Sequence, residues 1–229
     1  MAEGSGGRQR WSAATVAVLW VTFGLGMAEE VWRNFLTLHL AETTGEVLHA
    51  ARAMGVFAVC MNLVEGVGYV VGGRLAHGLG PRAVLALSAV PMLVGFGLMA
   101  GSTSVPLIIL GALLTSGWEP LSVPAVFHVV GADVPKSSRT MAFALQSIQK
   151  RLPKVLGPLM GGMLMGLGFG ANIAVAVGLV LVTTAVQAWL TRRMKPHEVV
   201  NARPAREVLA AIPAPIKSLL TAECLLRWG

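Results

Sequence analysis

Met54–Leu75 reads MGVFAVCMNLVEGVGYVVGGRL, and this stretch decides the fold. Between Arg52 and Arg74 its only charged side chain is Glu65. A run this long and apolar fits a helix that crosses a bilayer, for which roughly 20 apolar residues are needed. Five further runs of the same character lie on either side of it. The predicted spans are 12–38, 48–75, 83–101, 105–131, 140–166 and 169–191. Hydrophobic residues make up 55% of the 229-residue chain, and Asp, Glu, Lys and Arg only 13%. A soluble domain of this length has no core large enough to hide so much apolar side chain, so the natural solvent is a bilayer. All six spans are expected to be helices, because a lone sheet would leave backbone groups unpaired in lipid. The short connections 78–82, 101–104 and 167–170 make consecutive helices antiparallel neighbours. The expected fold class is an all-α, polytopic membrane bundle.

The net charge of +7 is unevenly spread. Arg8, Arg10, Arg74, Arg82, Lys136, Arg139, Arg192, Arg193, Lys195, Arg203 and Arg206 fall between spans, on one side. The opposite loops carry almost no basic residues, with Arg52 the main exception. This is the positive-inside pattern, and it predicts a cytoplasmic N-terminus. It also accounts for the pI near 10.3 without a nucleic-acid partner. Cys60 and Cys224 have neither metal-ligand spacing nor a disulfide framework. The first apolar run is too long for the core of a signal peptide and reads as an uncleaved first span. The expected organisation is a cytoplasmic tail over 1–11 and a six-helix bundle over 12–192. A basic cytoplasmic linker with Pro196 and Pro204 follows over 193–213. Residues 214–229 read as the start of a seventh helix, or as a helix lying on the interface. The first of these makes the chain the front part of a longer protein.

An internal echo joins spans two and five. Gly68–Leu75 and Gly157–Leu164 both read G-x-x-x-G-G-x-L. They are the middle helices of two consecutive three-helix sets. Spans one and four echo more loosely, GMAEEVW at 26–32 against GWEP at 117–120. Two three-helix units of opposite orientation are the inverted repeat of many secondary transporters. Small residues four apart are also a general device for close helix packing in lipid.

Gly73–Leu85, GRLAHGLGPRAVL, resembles the signature loop of the major facilitator superfamily, G-x-L-A-D-R-x-G-R-K-x-x-L, and falls between the second and third helices as in that family. Gly73, Leu75, Ala76, Gly80 and Leu85 match, and Arg82 is basic where the family has lysine. His77 replaces the acidic residue, Gly78 the first arginine and Pro81 the second basic residue. In the family this loop latches the two halves by charge pairing. The replacements either weaken that latch or, through His77, make it depend on pH. Leu156–Gly162 is similar to the fifth-helix motif G-x-x-x-G-P-x-x-G-G of the family's antiporters, with Gly157, Pro158, Gly161 and Gly162 in place and Pro153 at the first glycine. The fourth-helix arginine of proton-coupled exporters is replaced by Glu119 nearby. The resemblance implies twelve helices in two halves, with this chain supplying the N-terminal half. A C-terminal half or a second copy is then required as partner. It also implies that helices one and four line the transport cavity.

The charges inside the spans are Glu29, Glu30, Glu65 and Glu119 against Arg33, Lys150, Arg151 and Lys154. An unpaired charge at mid-bilayer costs about 2.5–3.5 kcal/mol even on the lenient insertion scale. Helical spacing puts Thr22, Gly26, Glu29 and Arg33 on one stripe with Glu30 beside it. Asn62, Gly66, Tyr69 and Gly73 form a second stripe with Glu65 at its margin. Thr115, Glu119 and Ser122 form a third. Gln146, Lys150, Pro153 and Gly157 form the fourth, with Lys154 adjacent and Arg151 turned away. The expectation is that helices one, two, four and five turn these stripes toward one cavity for substrate or protons. Its residues are Glu29, Glu30, Arg33, Asn62, Glu119, Gln146, Lys150 and Lys154. Glu119 is the predicted protonation site or substrate counter-ion, tuned by Lys150 or Lys154. Plainer readings stand beside it. Glu29–Arg33 is alternatively an intrahelical pair near the outer interface. Glu65 is alternatively a brace for the signature loop, and Lys154 a side chain snorkelling to an interface. Trp118 is either a substrate-stacking wall or packing.

The function expected is efflux of a small organic solute driven by an ion gradient, with protons as the expected coupling ion, because no G-x-x-x-x-G-K-[ST] phosphate loop is present to use a nucleotide. No H-E-x-x-H or G-x-S-x-G occurs, so the sequence does not point to an enzyme, a metal or a cofactor. A non-transporting six-helix scaffold, or a remnant needing a partner, is the alternative.

Overall fold

The structure, a computed structural model, describes residues 12–135 and 138–192 together with positions 213 and 218. The predicted tail 1–11, nearly all of the linker and the segment 214–229 lie outside the described residues, as do the basic residues predicted there. The chain divides into two units, 1–198 and 199–229, and the helices α1 to α9 belong to the first. Among the described residues every regular element is helical.

Span one is α1 (Ala13–Arg33) followed by α2 (Leu36–Thr44), and it continues past the predicted end at residue 38. Ser12 caps α1, its Oγ accepting from the Thr15 N–H at 3.1 Å. Span two is α3 (Val47–Gly78). Span three is α4 (Pro81–Leu87) and α5 (Ala89–Gly101), broken at Ser88. Span four is α6 (Val105–Ser116) and α7 (Trp118–Asp133), broken at Gly117. Pro120 explains that break, because it lacks the N–H that would bond the Ser116 carbonyl. Span five is α8 (Arg139–Leu164), and span six is α9 (Phe169–Thr191). Five helical stretches, 13–44, 47–78, 81–101, 105–131 and 169–191, are long and apolar enough to cross a membrane. The sixth, α8, has 26 residues, about 39 Å at the helical rise. Lys150, Arg151 and Lys154 make it the polar member of the set.

The tight connections use glycine where the backbone demands it. Gly80 has φ 80° and Gly168 φ 90°, a region open to glycine without penalty. Pro81 follows Gly80 as the first residue of α4, where its missing N–H costs nothing. The departure from the signature loop at Pro81 is thus a helix start.

Helix α1 is the centre of the bundle and packs on α8 and α9, while α3 packs on α7 and α5 on α6. The glycine echo sits at two of these contacts. A Cβ on Gly68 would meet the Pro120 ring, and one on Gly72 the Leu121 backbone of α7. A Cβ on Gly157 would meet Glu30, and one on Gly161 the Val31 carbonyl of α1. The middle helix of each three-helix unit therefore leans through its paired glycines on the first helix of the other. That exchange of roles is what two inverted repeats produce. The third glycine of each echo makes no such approach: nothing lies within 4 Å of a Cβ on Gly73, and Gly162 meets only Phe35 at 3.6 Å. Around these contacts Val18, Val21, Leu25, Trp32, Met92 and Phe96 are buried in one core. Trp32 and Phe96 meet edge to face at 6.4 Å. Val56, Val59, Leu63, Val67 and Val70 on α3 are exposed, the composition of a face that meets hydrocarbon.

Candidate functional site

The break at Gly117 places Trp118 and Glu119 in the first turn of α7. An acidic residue there is favoured by the partial positive charge of the helix start. Lys150 on α8 reaches across, and its Nζ donates to Glu119 Oε1 at 2.9 Å. The pair is about one-third exposed, at 33% for Lys150 and 39% for Glu119. Glu29 on α1 is buried and holds two donors. Arg33 Nη1 donates to its Oε1 at 2.9 Å, and the Trp118 indole N–H donates to its Oε2 at 2.8 Å. The two donors come from different helices, so this side chain ties α1 to α7. Asn34 Nδ2 approaches Glu30 Oε2 at 3.4 Å, a long and weak bond.

These groups enclose a small cavity of about 50 Å³ between α1, α7 and α8, with Glu29, Glu30, Glu119, Lys150 and Lys154 in its wall beside Trp118 and Pro153. Three carboxylates thus face two ammonium groups, and Arg33, one turn beyond Glu29, supplies the third cation. Pro153 fits here because α1 offers Gly26 opposite it, where a Cβ would come within 3.1 Å of the proline ring. The glycine missing from the α8 motif is supplied by the facing helix.

The expectation of one shared cavity needs correction. Arg33 and Asn62 line a second recess, a groove of about 440 Å³ between the α1–α2 junction and α3, together with Glu65. Asn62 is exposed and donates to the Ala58 carbonyl of its own helix at 3.0 Å. The reason lies in the face that α3 turns to α7. Gly68 and Gly72 make that contact, which leaves the stripe of Asn62, Gly66 and Gly73 open; nothing lies within 4 Å of a Cβ on either glycine. Glu65 lines the groove with Arg33. Gln146 is buried but lines neither recess, and its Nε2 has no hydrogen-bond partner. Arg151 is exposed.

In the signature loop, Leu75 packs against the core and Gly80 makes the turn. His77 keeps a buried Nε2 without a partner. The loop is fastened through the backbone of Arg82, whose carbonyl accepts from Gln187 Nε2 of α9 at 3.2 Å. The Arg82 side chain is exposed. Sequence reasoning missed both Gln187 and the indole bond of Trp118. Trp118 packs in the core, and its N–H is in addition the donor that joins Glu29 to α7. A tryptophan next to Glu119 was the only signal, and it does not name its partner 89 residues away.

A helical bundle with apolar outer faces and five stretches long and apolar enough to cross a membrane is an integral membrane protein. The family profile of the Major Facilitator Superfamily matches residues 11–228, and the chain belongs to that family. It is similar to two uncharacterized MFS-type transporters of Mycobacterium tuberculosis, one from strain CDC 1551 / Oshkosh and one from strain ATCC 25618 / H37Rv. Each is 27% identical over 165 residues, which is 72% of this chain and 38% of the relative. The chain thus matches well under half the length of these relatives.

Proposed function

We propose that this chain is the N-terminal half of a secondary transporter that exports a small organic solute against a flow of protons, with its N-terminus in the cytoplasm. The observation that carries this reading is the Glu119–Lys150 pair beside the doubly bonded Glu29. A cavity of about 50 Å³ has room for water or a small ion but not for an organic solute; ligand pockets run from about 300 Å³ upward. That size supports a coupling role for the ionic cluster. Protonation of Glu119 would release Lys150 and free α7 to move against α8. The energy source is an ion gradient, and the second six-helix half or another copy completes the path.

The test uses inside-out vesicles from cells expressing the uninterrupted reading frame that contains these residues. A pH gradient is established, and zwitterionic, anionic and cationic solutes are added in turn. Wild-type protein should dissipate the gradient with at least one of them, and Glu119→Gln should lower that flux at least ten-fold. Undiminished proton flux in the variant removes Glu119 from coupling. No flux with any solute favours the non-transporting scaffold.

A further inference from the structure

We infer that the groove between the α1–α2 junction and α3 is a solute site for zwitterions, with Arg33 holding the anionic group and Glu65 the cationic one. This rests on the transporter reading and adds the substrate class and its place. At about 440 Å³ the groove falls within the range of small-molecule pockets, whereas the ionic cavity does not. One wall carries Arg33, Asn34 and Thr37, and the other carries Phe57, Asn62 and Glu65. Cation, anion and neutral hydrogen-bonding groups thus face one space around an aromatic ring.

The two charges stand differently from those of the ionic cavity. Lys150 and Glu119 pair with each other at 2.9 Å. Arg33 spends only Nη1 on Glu29, and its other guanidinium nitrogens remain for an incoming carboxylate, which this planar fork suits. Among the described residues no ion pair reaches Glu65. A carboxylate at membrane depth without a protein partner is costly and marks a functional position; a cationic group on the solute would supply the partner. A solute with both charges satisfies both ends at once. A simple anion leaves Glu65 uncompensated, and a simple cation meets Arg33 as a like charge. The groove also touches the ionic cavity through one side chain. Arg33 is bonded to Glu29, Glu29 to Trp118, and Trp118 adjoins Glu119. A solute carboxylate that draws Arg33 away loosens Glu29, so occupancy of the groove is felt at the Glu119–Lys150 pair.

The experiment is equilibrium binding to the purified full-length protein in lipid nanodiscs, read by calorimetry. The probes are unbranched ω-amino acids of three to eight carbons, with the matching fatty acids and alkylamines as single-charge controls. At least one amino acid should bind ten-fold or more tighter than both controls of its length. Arg33→Gln should erase its advantage over the amine, and Glu65→Gln its advantage over the acid. Glu65 is only partly buried, so Glu65→Gln keeps the test informative should Arg33→Gln fail to fold. Equal binding of the three probe classes, binding of none of the amino acids, or unchanged selectivity in Glu65→Gln overturns the assignment. Because the coupling is reciprocal, Glu119→Gln should shift the amino acid's affinity yet keep its advantage over both single-charge controls, while failing in the vesicle assay. Loss of selectivity at the groove and loss of proton coupling are therefore separate results.

Discussion

Helices α3 and α8 hold equivalent places in the two three-helix units, yet they carry different charge. Each leans on the first helix of the other unit through two glycines four residues apart, Gly68 and Gly72 for α3, Gly157 and Gly161 for α8. On α3 the charge that lines a recess is one carboxylate, Glu65, facing an open groove. On α8 it is Lys150 and Lys154, which line one small cavity with the carboxylates of α1 and α7. Backbone approach is common to both units, whereas the ion pair between helices, Lys150 with Glu119, involves α8. The close approach of α8 to α1 is what brings Glu29 and Glu30 into the same wall as the two lysines. The same device on α3 meets the Pro120 ring and the Pro120 and Leu121 backbone, which are uncharged.

The largest effect should come from breaking the shared part. Gly161→Leu drives a side chain into the Val31 carbonyl, and Gly72→Leu drives one into the Leu121 backbone. Overpacking costs about 1–3 kcal/mol, and more where backbone is struck. Both variants should lose the monodisperse peak in size-exclusion chromatography after detergent extraction. A normal peak for one and not the other would break the symmetry between the units. A middle-sized effect tests the part that differs. Trp118→Phe removes a donor from the buried Glu29 and should cost about 1.5–3 kcal/mol, the value of a hydrogen bond to a charged group, seen as a lower melting temperature. No change would mean that Glu29 is held by Arg33 alone. The smallest effect sharpens the contrast inside the echo. Gly73→Ala adds a methyl where nothing lies within 4 Å, and relief of glycine's backbone entropy should stabilise the helix by about 0.5–1 kcal/mol. A fall in melting temperature would show that the open stripe of α3 is covered in the bilayer.

The fold was legible because apolar length and charge placement are properties of single segments. Residues 47–78 announce a span without reference to anything else. The echo was legible too, since close helix contacts in lipid select glycine at fixed spacing. The site was legible only in part. Glu29 and Arg33 share a helix, so spacing alone allows their 2.9 Å bond. Glu119 and Lys150 lie on different helices, and their meeting depended on how α7 and α8 rotate. Asn62 was assigned to the wrong recess for the same reason. Its helical stripe was read correctly, but the stripe that meets α7 is the one carrying Gly68 and Gly72, and no periodicity ranks one glycine face over another. The breaks at Ser88 and Gly117 were missed because the runs stay apolar across them.

The crossed leaning of α3 on α7 and α8 on α1 has a consequence for biogenesis. When the first three spans have left the ribosome, the notches at Gly68 and Gly72 still lack their occupant, and α1 lacks the helix that packs on Glu30 and Val31 through Gly157 and Gly161. Neither three-helix unit is a finished folding intermediate. The bundle can close only once the chain has been synthesised to about Gly161, so insertion of the early helices must precede their docking, and anything that holds them apart meanwhile acts as a chaperone.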